Sequence, residues 1–155
     1  MSSLETLYQQ VILDHSRRRV GEGDIPADVD GQSYQVNPTC GDEITLGVHV
    51  KDGELVDYTW TGDGCSISQA SISVMAELID GKSIAEISQL YKDFEIMMHS
   101  RGKGVSDELL DRLEDGAAFE GTAKFPNRIK CSLLGWYALK DALVKAGVAL
   151  EDQNE

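Results

Sequence analysis

Residues 44–60, ITLGVHVKDGELVDYTW, decide how this chain must fold. Ile44, Leu46, Val48 and Val50 alternate with Thr45, Gly47 and His49, the two-residue period of a strand with one buried face. Asp52-Gly53 then marks a tight hairpin turn. The return strand is expected to carry Leu55, Asp57 and Thr59 on one face and Val56, Tyr58 and Trp60 on the other, until Gly62 and Gly64 break it. Upstream, Ser33 to Val36 is a short β candidate ending at the turn-forming pair Asn37-Pro38. About three antiparallel strands result.

Outside this sheet the period changes to that of helices. Leu4, Leu7, Tyr8, Val11 and Ile12 recur at helical spacing, and Gly21 follows the polar run from Asp14 to Arg19. A Gly/Pro/Asp-rich connector through Pro26 and Gly31 leads to the strands. After Gly64, Ile67, Ala70, Val74 and Leu78 form an apolar stripe that stops at Asp80-Gly81. Ser83-Ile84-Ala85-Glu86 reads as a capping box for a helix reaching about Met98. The polar stretch from His99 to Gly104 interrupts, Ser106-Asp107-Glu108 can start a short helix, and Pro126 opens a last helix ending near Ala146-Gly147. Glu151 to Glu155 is expected to fray. Strands gathered early and helices gathered late give an α+β fold, a small antiparallel sheet with helices packed on one face, in one domain over residues 1–155.

Composition limits what such a fold can do. The 155 residues are 41% hydrophobic and 26% charged, enough for one packed core. Fourteen Lys and Arg against 27 Asp and Glu give a formal charge of -13, which disfavours nucleic acid and anionic lipid surfaces. No apolar run approaches the roughly 20 residues of a membrane span, and the N-terminus lacks the order of a secretory signal. The expected location is the cytoplasm, where three cysteines do not make lasting disulfides.

All three cysteines fall at expected element boundaries. Cys40 lies in the turn Asn37 to Asp42, where Gly41 allows the chain to curl so that Cys40 and Asp42 face one point. Cys65 follows Gly62-Asp63-Gly64 and opens a helix, where free amides and the helix dipole favour a thiolate. Cys131 sits near the start of the last helix behind Arg128 and Lys130, whose charges are expected to act in the same direction. Three clustered thiolates need a counter-charge, and one tetrahedral Zn²⁺ with Asp42 as fourth donor would supply it. An aspartate is a harder partner for zinc than a fourth sulfur, so this donor is where an incoming ligand could displace the protein. Buried packing cysteines remain the blander reading of the spacing, and no C-x-x-C pair decides against it.

Three stretches go further: N-P-T-C-G-D at Asn37 to Asp42, G-D-G-C-S-I-S at Gly62 to Ser68, and F-P-N-R-I-K-C at Phe125 to Cys131. Together they resemble the NifU/IscU iron-sulfur cluster assembly family, over nearly the whole chain. The segment from Leu7 to His15 resembles the family's opening helix, although Ser16-Arg17-Arg18-Arg19 stands where Asn-Pro-Arg-Asn often follows. Lys130 replaces the histidine that precedes the last cysteine in IscU, and extra sequence lies between Gly81 and Phe125. Both departures resemble the SufU-type branch. The resemblance implies a zinc-dependent sulfurtransferase that takes persulfide sulfur from a SufS-type cysteine desulfurase and delivers it to a SufB-containing scaffold. Cys40 would be the acceptor, Asp42, Cys65 and Cys131 the remaining zinc ligands, and Arg128 a basic residue that docks or orients the partner. The alternatives are a scaffold holding a transient [2Fe-2S] cluster and a zinc-stabilised adaptor without chemistry.

The remaining candidates have plain readings. His15, His49 and His99 are expected to be structural or solvent-exposed. Met75, Met97, Met98, Trp60, Trp136 and Tyr137 read as core or partner-facing surface. Gly62-Asp63-Gly64 lacks the Lys-Ser/Thr that a phosphate loop requires and is read as the turn before Cys65.

Overall fold

Three strands, β1 (Gly31–Asn37), β2 (Asp42–Lys51) and β3 (Glu54–Asp63), form an open antiparallel sheet in the order β1-β2-β3. The computed structural model describes residues 3–150, so the expected loose tail from Glu151 to Glu155 lies outside the described residues. Leu46 faces Trp60 and Val48 faces Tyr58 across β2 and β3. Ile44, Leu46, Val48 and Trp60 are completely buried. One sheet face therefore forms the core floor, as the alternation requires.

The return strand departs from the expected facing. Its register shifts between His49, opposite Asp57, and Val50, opposite Leu55, leaving Val56 as an extra residue. This bulge reverses the alternation: Leu55 packs toward the core, whereas Val56 is 59% exposed.

Five α-helices stand beside the sheet among the described residues: α1 (Ser3–Arg18), α2 (Ser66–Ile79), α3 (Ile84–His99), α4 (Asp107–Leu113) and α5 (Pro126–Lys145). Helix α5 lies along β1 and β2 and packs on α2. The two helices approach so closely at Gly135 that a Cβ there would stand 2.8 Å from Ile72 Cβ. Helix α3 begins with the full capping box of Ser83 and Glu86, and Ser106 caps α4. Met75, Met97, Met98 and Trp136 are buried in the core, where Phe94 stacks on Trp136 at 4.9 Å. Burying each large apolar side chain contributes about 1.5–3 kcal/mol.

Two features lie beyond the sequence expectations. A 3₁₀ segment (Glu114–Lys124) joins α4 to α5, with Phe119 and Thr122 buried. Leu4 and Leu7 of the α1 stripe are more than half exposed; α1 instead buries His15 and packs Tyr8, Val11 and Ile12 against the core.

Candidate metal centre

The turn between β1 and β2 brings the first two donors together. Cys40 N–H bonds Asn37 O at 3.2 Å, closing the turn, and Gly41 adopts φ +72°, a conformation that L side chains rarely adopt. Beyond it the chain enters β2 with Asp42 pointing inward. Cys40 is exposed whereas Asp42 is 2% exposed.

The other two donors come from helix starts facing this turn. Cys65 is the N-cap of α2, its Sγ accepting the Ser68 N–H at 3.5 Å. Cys131 lies in the second turn of α5 and is 2% exposed. Cys40, Asp42 and Cys131 each offer a donor atom within 4.8 Å of one another. Cys65 is outside that tightest trio yet hydrogen-bonds two of its members, Asp42 and Cys131. All four expected ligand residues thus meet at one place, from three separate parts of the chain.

Polar groups rather than hydrocarbon surround the buried end. Asp42 Oδ1 accepts the Cys65 backbone N–H at 2.8 Å and the Ser68 hydroxyl at 3.1 Å. Asn37 Nδ2 reaches Asp42 Oδ2 at 3.4 Å and Cys131 Sγ at 3.5 Å. Gly64 makes this approach possible, because a Cβ there would stand 2.3 Å from Asp42 Oδ1. Burial works to raise the Asp42 pKa, but the hydrogen bonds from Cys65, Cys131 and Ser68 prevail and hold the carboxyl below its usual range.

Cys131 behaves contrary to expectation. Burial foremost, then hydrogen bonding to Asp42 and Cys40 and the adjacent Cys65, push its thiol well above the usual value. Arg128 and Lys130 do not reverse this, since both side chains are on the exposed side of α5. The guanidinium of Arg128 lies over the Phe125 ring, 4.6 Å from its centroid. Both residues line a groove of about 520 Å³ between α1 and the start of α5, with Tyr8, Ile12 and Lys124.

The donor set fits zinc. Tetrahedral zinc with Zn–S distances of about 2.3 Å requires donors under about 4 Å apart, so the trio needs only a small contraction. Bound zinc would supply the positive charge that the buried Cys131 thiolate lacks. Among the described residues one other group has similar chemistry: His15, Glu77 and Asp115. There Arg18 already supplies the cation, donating to Glu77 at 3.1 Å and lying 3.5 Å from His15 Nε2, while His15 Nδ1 pairs with Ser73 Oγ at 2.8 Å. His15 is therefore structural, clasping α1 to α2. His49 pairs with Asp28 and is likewise away from the cysteines.

Asn37 and Ser68 stand inside the quoted motifs with no role read from them, and Gln69 follows directly after. Asn37, Ser68 and Gln69 are buried polar side chains beside the cysteines, and the adjacency of Ser68-Gln69 to Cys65 was the available signal.

Known proteins share this arrangement of sequence. The sequence pattern of the NifU-like N terminal domain matches residues 7–145. The zinc-dependent sulfurtransferase SufU of Bacillus subtilis is 41% identical over 149 residues, 93% of this chain and 94% of that protein. The iron-sulfur cluster assembly scaffold protein IscU of Streptococcus pyogenes serotype M1 is 39% identical over 158 residues, 99% of this chain and 94% of that protein. A crystal structure from Fervidobacterium islandicum AW-1, described as an iron-sulfur cluster assembly scaffold protein for the SUF system, matches with a TM-score of 0.74 at 33% identity. It covers 92% of this chain and 99% of that one.

Proposed function

Because this chain belongs to the NifU-like N-terminal domain family, we propose that it acts in iron-sulfur cluster assembly as a zinc-dependent sulfurtransferase, with Cys40 accepting persulfide sulfur from a SufS-type cysteine desulfurase. The observation that carries this reading is the asymmetry of the donors: an exposed Cys40 thiol stands beside the buried Asp42 and Cys131. A centre built this way keeps its deep ligands shielded and presents one sulfur to a partner.

Cys40, Asp42, Cys65 and Cys131 would hold the zinc. When bound, zinc supplies the charge that keeps the clustered sulfurs deprotonated at neutral pH. The chain's own residues do the rest. The Cys40 thiolate attacks the outer sulfur of the desulfurase persulfide. A new S–S bond forms at Cys40, the bond to the desulfurase cysteine breaks, and the electron pair leaves on that cysteine as a thiolate, so no oxidant or reductant is consumed. A second exchange of the same kind passes the sulfur to a SufB-containing scaffold. Arg128, held over Phe125 beside the groove, supplies a positive charge in an acidic protein and orients the partner. No helix among the described residues is long and apolar enough to cross a membrane, and we place the exchange in the cytoplasm.

The Streptococcus pyogenes relative favours a second reading, in which the same donors assemble a [2Fe-2S] cluster as cargo. Lys130 weighs against it: an ammonium has no lone pair to replace the imidazole at that position.

The transfer is tested by desulfurase turnover. Cys40→Ser should abolish stimulation of cysteine turnover and leave no persulfide on the chain by mass spectrometry. Full stimulation by Cys40→Ser would refute the acceptor role.

A further inference from the structure

Arg18 closes α1 and Arg19 follows it, and the two side chains take different positions. Arg18 pairs with Asp14 and Glu77 at the surface. Arg19 turns toward the centre instead: it adopts φ +47°, lies over the Trp60 ring at 4.9 Å and donates to Gly62 O at 2.8 Å and to Glu22. Its Nη1 donates to Gln69 Oε1 at 2.6 Å.

We propose that Arg19 is the outer anchor of a hydrogen-bond relay through Gln69 and Ser68 that holds Asp42 as a one-oxygen ligand, an inference that rests on the metal-centre reading above. A guanidinium carries donors only, so the atom of Gln69 facing it must be Oε1. The amide is thereby fixed with Nε2 toward Ser68 Oγ, at 3.2 Å. Ser68 Oγ, occupied by this N–H, turns its own proton toward Asp42 Oδ1 at 3.1 Å, shared with Cys65 O at 3.1 Å. Oδ1 also takes the Cys65 N–H, so its acceptor capacity is filled inside the protein. Oδ2 has the long Asn37 amide contact at 3.4 Å and keeps lone pairs for a metal ion on the cysteine side. Gln69 and Ser68 are 4% and 0% exposed, so water does not substitute for either link. The donors therefore run inward from the guanidinium, which fixes the Gln69 amide, to the carboxylate, which takes the Ser68 proton.

The relay makes Arg19, Gln69 and Ser68 positioning residues for the fourth ligand. Outer-shell hydrogen bonds of this kind are worth about tenfold to a hundredfold in metal affinity. The 155-residue chain and the variants Gln69→Leu, Ser68→Ala, Ser68→Thr and Arg19→Met are compared by zinc competition with a chromophoric chelator and by the ligand-field spectrum after cobalt substitution. Gln69→Leu and Ser68→Ala should weaken zinc by about tenfold or more and shift the cobalt bands. Ser68→Thr, which keeps the hydroxyl, should restore both. Arg19→Met keeps the apolar stem at the protein rim without its donors, and should shift the spectrum in the same sense by a smaller amount, even where a core variant does not fold. Wild-type affinity and spectrum in Gln69→Leu and Arg19→Met would overturn the relay alone. A wild-type chain that binds no zinc would overturn the metal-centre reading and the relay with it.

Discussion

The backbone N–H of Cys65 donates to Asp42 Oδ1 at 2.8 Å, so the residue that caps α2 also sets the angle of the carboxylate at the start of β2. Two of the four candidate ligands are thus tied together by the backbone before any metal enters. Against the burial that works to raise it, the tie joins the Cys131 and Ser68 hydrogen bonds in holding the Asp42 carboxyl below its usual range.

This tie depends on Gly64. Its Cβ would stand 2.3 Å from Asp42 Oδ1 and 2.9 Å from Ser68 Oγ. Gly64→Ala should displace the carboxylate, lower zinc content, and destabilise the metal-free chain by about 1–3 kcal/mol, as overpacking does. Metal analysis and denaturant titration check both effects.

The metal-free protein should lose stability in alkali. The folded-state pKa of Cys131 is raised above the ordinary thiol value, by burial first. Its contribution is therefore complete below the unfolded thiol pKa of about 8.5 and is lost as pH rises beyond it. Thermal midpoints of metal-free wild type should fall from about pH 8.5 upward, and Cys131→Ser should flatten that dependence. Equal slopes in both would remove Cys131 as the cause.

Much of this was legible beforehand, because alternation, hairpin chemistry and caps are local signals. Ile44 to Trp60, Asp52-Gly53 and the Ser83-Glu86 box each carry their structure in a few adjacent residues. The bulge at Val56 was not, since nothing in Glu54 to Trp60 shows which partner residue Val50 selects. The 3₁₀ segment escaped for a similar reason: Gly116 and Gly121 weaken its local preference, and buried Phe119 and Thr122 hold it from outside. At the site, residue types and turns singled out four residues that the structure brings to one place. The raised Cys131 pKa needed three dimensions, because its cause is burial against Asp42 and Cys40 rather than the neighbouring Arg128 and Lys130.

Arg128 provides a test of docking separate from metal binding. It stacks on Phe125 and is exposed, so Arg128→Glu should leave zinc content unchanged. The concentration giving half-maximal desulfurase stimulation should rise about fivefold to tenfold, with a weaker dependence on salt. An unchanged concentration at low salt would assign Arg128 no part in docking.

The most direct measurement is the metal content and visible absorbance of the chain purified without added iron, alongside Asp42→Ala, Cys65→Ser and Cys131→Ser. Stoichiometric zinc with no visible band is expected in the wild type, and marked zinc loss in each variant. An iron-containing chromophore, or zinc fully retained when Cys131 is replaced, would contradict the zinc reading.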